Sequence, residues 1–115
     1  MWKRTERARG PRIRKKLGAS EIDARMANLD GWRTQGAAIA KEFEFHSFAV
    51  AMQFVNAVAA AAEAINHHPD IDIRYRKVKL ELATHSAGGL TALDFDLARA
   101  ADATARGLIA SGPDA

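Results

Sequence analysis

Cysteine is absent from the chain. That excludes a disulfide framework, thiolate zinc sites, iron–sulfur clusters and a cysteine nucleophile. It fits a reducing compartment. No apolar run reaches the roughly 18 residues a transmembrane helix needs, and the N-terminus carries no apolar signal core. A cytoplasmic protein without a membrane partner is expected. Internal repeats and low-complexity segments are also missing. Acidic residues are scarce at the start: residues 1–18 hold eight Lys or Arg against Glu6 alone, a net +7, while the remainder holds nine basic and 13 acidic residues, a net −4. The overall +3 is therefore set by a tail. A basic arm can bind nucleic acid or an acidic partner. Without aromatic interleaving or a fold motif, the plainer expectation is a disordered tail over 1–19 and no nucleic-acid partner.

What is present is ordinary for a globular chain: 115 residues, 48% hydrophobic and 27% charged. This is the size of one domain. So small a domain buries a limited core, which makes self-association a plausible source of further burial.

Ser20 to Asp23 reads as a helix start, with Ser20 as cap, and Ile22, Met26 and Leu29 give a short apolar stripe. Asp30-Gly31 ends it. Trp32 opens an extended segment and is expected in the core. From Ala37 to Phe45 the chain alternates, with Ile39, Phe43 and Phe45 on one parity and Lys41 as the exception. That is a half-buried strand after a turn at Gly36. Ser47 can cap a helix over 48–66 whose stripe of Phe48, Met52, Val55, Ala59, Ala62 and Ile65 is broadened by Val50, Phe54 and Val58. His67-His68-Pro69 stops it, and Pro69 holds His68 extended. Ile71, Ile73 and Tyr75 alternate on odd positions, and Val78, Leu80 and Leu82 on even ones. The change of parity marks a turn near Arg76-Lys77. Thr91 to Asp94 reads as a capping box for a last helix with Leu93, Leu97, Ala100, Ala101 and Leu108 on its apolar face. The expected fold is α+β: an antiparallel sheet of about four strands covered on one face by helices, a single two-layer domain over 20–110, with 111–115 as its C-terminal end.

Three of the four histidines, His67, His68 and His85, lie at element ends beside turns. A hairpin can return His85 to the helix end that carries the other two. Imidazoles exchange protons near neutrality, as paired proton transfer requires. Glu63 lies one helical turn before His67 and can share its face. Asp94 has a complete explanation as a cap, and His46 reads as a cap-adjacent surface residue. The residues taken alone leave an acid–base site or a metal site open; the adjacent histidines match no short metal motif.

The run Glu63-x-x-x-His67-His68-Pro69-Asp70, then Tyr75-x-Lys77-Val78, then Thr84-His85-x-Ala87-Gly88-Gly89-Leu90-Thr91-x-x-Asp94, resembles the signature of pterin-4a-carbinolamine dehydratases. Gly31-Trp32 and Phe43-x-Phe45-x-x-Phe48 resemble the family too, and the likeness covers about residues 20–110. It implies removal of water from 4a-hydroxytetrahydropterin to give the quinonoid dihydropterin, a step that follows pterin-dependent hydroxylation of an aromatic amino acid. It also implies a homodimer or homotetramer, with no metal and no cofactor; the pterin is the substrate. By resemblance His67 and His85 form the acid–base pair, and His68 binds and orients the pterin. Asp94 holds a histidine or contacts the pterin, Glu63 orients His67, and Pro69 supports the site. Some relatives in carboxysome loci have lost the histidines and are assembly factors, which keeps a non-catalytic scaffold as the alternative.

Overall fold

The computed structural model describes residues 14–111. Residues 1–13, the greater part of the expected tail, and 112–115 lie outside the described residues. The elements in order are α1 (Ala19–Met26), β1 (Arg33–Gln35), β2 (Ala38–Glu44), α2 (Phe48–Ala64), β3 (Asp70–Arg74), β4 (Lys77–Leu82), a 3-10 turn (His85–Ala87) and α3 (Ala92–Ser111). The strands form one antiparallel sheet in the order β1-β2-β4-β3. The fold is α+β.

Register explains the two faces. Ile39 pairs with Leu82, Phe43 with Val78, and Ile71 with Leu80, so these side chains share one face. Ile39, Val78, Leu80 and Leu82 there are fully buried. The other face presents Glu42 opposite Lys79 and Asp72 opposite Lys79. Helices α2 and α3 pack together over the apolar face. Between them and the sheet, Phe54 meets Phe43 and Phe45 at centroid distances of 4.7 and 4.8 Å. The parity change in the sequence leaves the face unchanged, because Arg74 pairs with Lys77 across the two-residue turn Tyr75-Arg76.

The structure moves two boundaries and shifts the buried faces of two helices. Helix α1 starts one residue before Ser20: Gly18 is the N-cap and its N–H donates to Glu21 Oε1 at 3.0 Å. A backbone N–H reached by a carboxylate in the first turn replaces the expected hydroxyl cap. The folded unit also begins earlier than Ser20, since Leu17 is buried in the core and its N–H donates to Leu90 O at 2.8 Å. In α2 the buried residues are Ala51, Phe54, Val58 and Ala62: Ala62 belongs to the expected stripe and Phe54 and Val58 to its broadening, while Phe48 at the head of the stripe is half exposed. In α3 Phe95 and Ala98 are fully buried, while Ala100 is half-buried. Ser47 does cap α2, its hydroxyl accepting from Val50 N–H at 3.1 Å.

Lys41, the exception in the alternation of β2, also has its reason. It lies on the apolar face, opposite Leu80. Its Nζ donates to Asp102 Oδ1 at 2.9 Å and to Asp30 O at 2.8 Å, and sits 4.8 Å from the centre of the Phe43 ring. The indole N–H of Trp32 donates to both oxygens of Asp102 at 3.1 Å. A charge on a core face is tolerated when it is paired and hydrogen-bonded.

Candidate active site

Helix α2 ends at Ala64, and Asn66, just past its cap Ile65, lies in the left-handed region with φ 51°. Asn66 N–H donates to Glu63 O (3.2 Å) and His67 N–H to Ala62 O (3.0 Å). This is a Schellman ending, in which the two bonds satisfy the last carbonyls of the helix. Asparagine is second only to glycine at the left-handed position, so the helix stops before His67 rather than on it. The ending turns the His67 ring into the protein, where it is buried; His68 is exposed and Pro69 half-buried.

His67 Nε2 lies 2.6 Å from Asp94 Oδ1. Asp94 is fully buried, in the first turn of α3. Its other oxygen accepts from Thr91 N–H at 2.9 Å, the expected capping bond, and from the Thr84 hydroxyl at 2.8 Å. Thr84 Oγ1 is also 2.8 Å from Thr91 Oγ1. A hydroxyl has one proton, and that of Thr84 goes to Asp94; Thr91 therefore donates to Thr84. One buried carboxylate thus receives three donors from three parts of the chain. Facing a carboxylate, which can only accept, the His67 ring donates through Nε2.

Thr84 connects this pair to His85. The segment from Thr84 to Gly89 is closed by Thr84 N–H to Gly89 O at 3.0 Å and Gly89 N–H to Thr84 O at 3.4 Å. Gly88 makes the reversal at φ 76°. His85 opens the 3-10 turn, is exposed, and lines a surface cavity of about 330 Å³ with Gln35, Ala38, Glu81, Thr84 and Gly89. His67 reaches this segment only through Asp94 and Thr84. His67 and Asp94 are thus in direct contact, and His85 follows Thr84, which bonds the same carboxylate.

Glu63 does not orient His67. Its carboxylate pairs with His68 Nε2 at 2.5 Å. The Schellman turn carries His67 inward, which leaves His68 as the ring on the side of the preceding helical turn. His46 bonds Ile109 O at 3.3 Å, away from these residues. Thr84 is the supporting residue that sequence reasoning missed. Its signal was there: it continues the parity of Val78, Leu80 and Leu82, and a hydroxyl on a buried stripe needs a buried partner. Among the described residues, no group of three His, Asp or Glu side chains is placed to hold a metal ion.

The sequence model of the pterin 4 alpha carbinolamine dehydratase family matches residues 15–104. A protein of Roseiflexus castenholzii, which carries the provisional name pterin-4-alpha-carbinolamine dehydratase, is 56% identical over 86 residues, 75% of this chain and 92% of that protein. One of Acidobacterium capsulatum with the same provisional name is 51% identical over 87 residues, 76% of this chain and 95% of that one. Among solved structures, a transcriptional coactivator/pterin dehydratase from Brucella melitensis superposes with a TM-score of 0.77 at 38% identity, over 79% of this chain and 99% of that one. A pterin dehydratase-like protein identified as a RuBisCO assembly factor in the alpha-carboxysome superposes with a TM-score of 0.57 at 31% identity, over 65% and 89% of the two chains. With its fold, its histidine signature and a family match over most of its length, this chain belongs to the pterin 4 alpha carbinolamine dehydratase family.

Proposed function

We propose that this protein dehydrates 4a-hydroxytetrahydropterin to the quinonoid dihydropterin by general acid–base catalysis, in the recycling of tetrahydrobiopterin. The observation that carries the reading is the buried His67–Asp94 pair, tied by Thr84 to the exposed His85. Loss of water needs a proton on the leaving 4a-oxygen, after which the C4a–O bond breaks. It also needs a proton removed from a ring N–H, whose electron pair closes the new C=N bond. One imidazole serves each transfer, and the two proton changes balance: one proton enters on the leaving oxygen, one leaves the ring nitrogen, and the products are the quinonoid dihydropterin and water. His67 acts through Nδ1, held in place by Asp94. His85 acts from the cavity edge. His68, exposed and paired with Glu63, binds and orients the pterin. The chemistry calls on neither metal nor cofactor.

The same reading makes the protein a cytoplasmic homodimer or homotetramer. Strand β3 is a sheet edge, and the half-exposed Ile73 and the exposed Tyr75 beside it are apolar surface that a second copy can cover. A functional link to a pterin-dependent aromatic amino acid hydroxylase follows from the reaction.

His67→Ala and His85→Ala are expected to lower kcat by about 10²–10⁴-fold each, with the oligomer intact by light scattering. Near-native turnover in both would refute the assignment. The second reading, a scaffold that binds protein partners, draws on the assembly-factor relative. It requires that both histidine variants bind the partner as the wild type does.

A further inference from the structure

Residues 14–17 cross the surface between the two histidine-bearing loops. At one end Arg14 Nη2 donates to the carbonyl of Asn66, the residue before His67, at 3.3 Å. At the other, Leu17 N–H bonds Leu90 O, and Leu17 is anchored in the core. Between them the Lys16 stem lies along the backbone of Gly89, which lines the His85 cavity. A Cβ on Gly89 would stand 2.9 Å from Lys16 Cε, which shows how closely the flexible lysine stem lies on this backbone. Arg14, Lys15 and Lys16 are all exposed. Among the described residues none of them is in an ion pair. Arg14 and Lys16 thus stand beside the site with no ion pair among the described residues, Lys15 lies between them in the chain, and the segment is held at both ends. A merely solubilising charge would need neither anchor.

We propose that the Arg14–Leu17 strap is a specificity element of the dehydration site, its cations favouring pterins whose side chain carries an anionic group, a phosphate or a carboxylate. This rests on the site reading above. Exposed charge pairs are individually weak, so three acting together amount to roughly a five- to tenfold preference at low salt, which shrinks as salt screens them.

The test measures binding by pterin fluorescence, with three probes: 6-hydroxymethylpterin, its phosphate monoester and pterin-6-carboxylate. The full chain is compared with the triple variant Arg14→Gln, Lys15→Gln, Lys16→Gln, which keeps Leu17 and the polar stems. The wild type is expected to bind at least one anionic probe about five- to tenfold more tightly than the neutral one. Preference for the phosphate alone, or for both anions, identifies the group read. The triple variant is expected to lose the preference, Lys16→Arg to keep it, and the wild type to lose most of it in 0.5 M salt. Equal affinities in the wild type, or an unchanged preference in the triple variant, overturn the proposal. If the wild type dehydrates the neutral carbinolamine but does not discriminate between probes, the strap proposal fails and the proposed reaction stands. If the folded wild type binds no pterin, both fail.

Discussion

At the scale of single residues, the site rests on one carboxylate. Asp94 is fully buried and receives His67, the Thr84 hydroxyl and the Thr91 amide. Removing it strands three donors, so Asp94→Ala is expected to cost about 3–5 kcal/mol in urea unfolding. Thr84→Val keeps the shape but takes one donor from Asp94 and one acceptor from Thr91, for about 1–3 kcal/mol. Losses below about 0.5 kcal/mol in both variants would show that the network does not hold the site together. The histidines themselves are legible in the sequence, because they sit at element ends beside Pro69 and a glycine loop. The partner of each is not. Which ring faces Glu63 and which faces Asp94 depends on the left-handed turn at Asn66, a backbone event rather than a spacing. Two neighbouring histidines with two carboxylates in reach can be paired in either sense until that turn is fixed.

At the scale of elements, alternation settles the strands and composition blurs the long helix. Strands β2 and β4 lie where period-two patterns place them, and β4 carries Val78, Leu80 and Leu82 inward. Helix α2 holds one charged residue, Glu63, and so many alanines that nearly every stripe along it looks apolar. The buried stripe is decided by Phe54, which fits between Phe43 and Phe45. Phe54→Ala is accordingly expected to cost about 3–5 kcal/mol and Met52→Ala less than about 1 kcal/mol, compared by thermal or urea unfolding. Equal costs would restore the stripe that the sequence suggests. The helix ends are clearer, since their signals are local: Ser47→Ala should cost about 1 kcal/mol. At Asn66, glycine should be tolerated, while a β-branched residue should cost about 1–2 kcal/mol because of the left-handed backbone.

At the scale of the whole molecule, one buried polar tie and one chemical site hold different ends of the fold. Trp32, Lys41 and Asp102 join the segment after α1 to β2 and α3 without a shared residue with the histidine network. Asp102→Ala leaves an ammonium and an indole N–H without their carboxylate and is expected to cost about 3 kcal/mol, with turnover per folded molecule unchanged. The layered α+β architecture is legible because strand and helix periods differ along the chain. The ties between distant segments are not, because Lys41 with Asp102 and His67 with Asp94 are pairings of single polar residues across the fold. The strap is hidden for a related reason: a run of basic residues looks solvated, and only Leu17 among them marks the chain as docked. The proposed function stands or falls on dehydration by the histidines. Its most direct test follows the absorbance of freshly generated 4a-hydroxytetrahydropterin with wild type and His85→Ala side by side. Acceleration over the spontaneous reaction by wild type, lost by about 10²-fold or more in the variant, is the expected result. No acceleration by folded, correctly assembled wild type, or equal acceleration by both proteins, would contradict it.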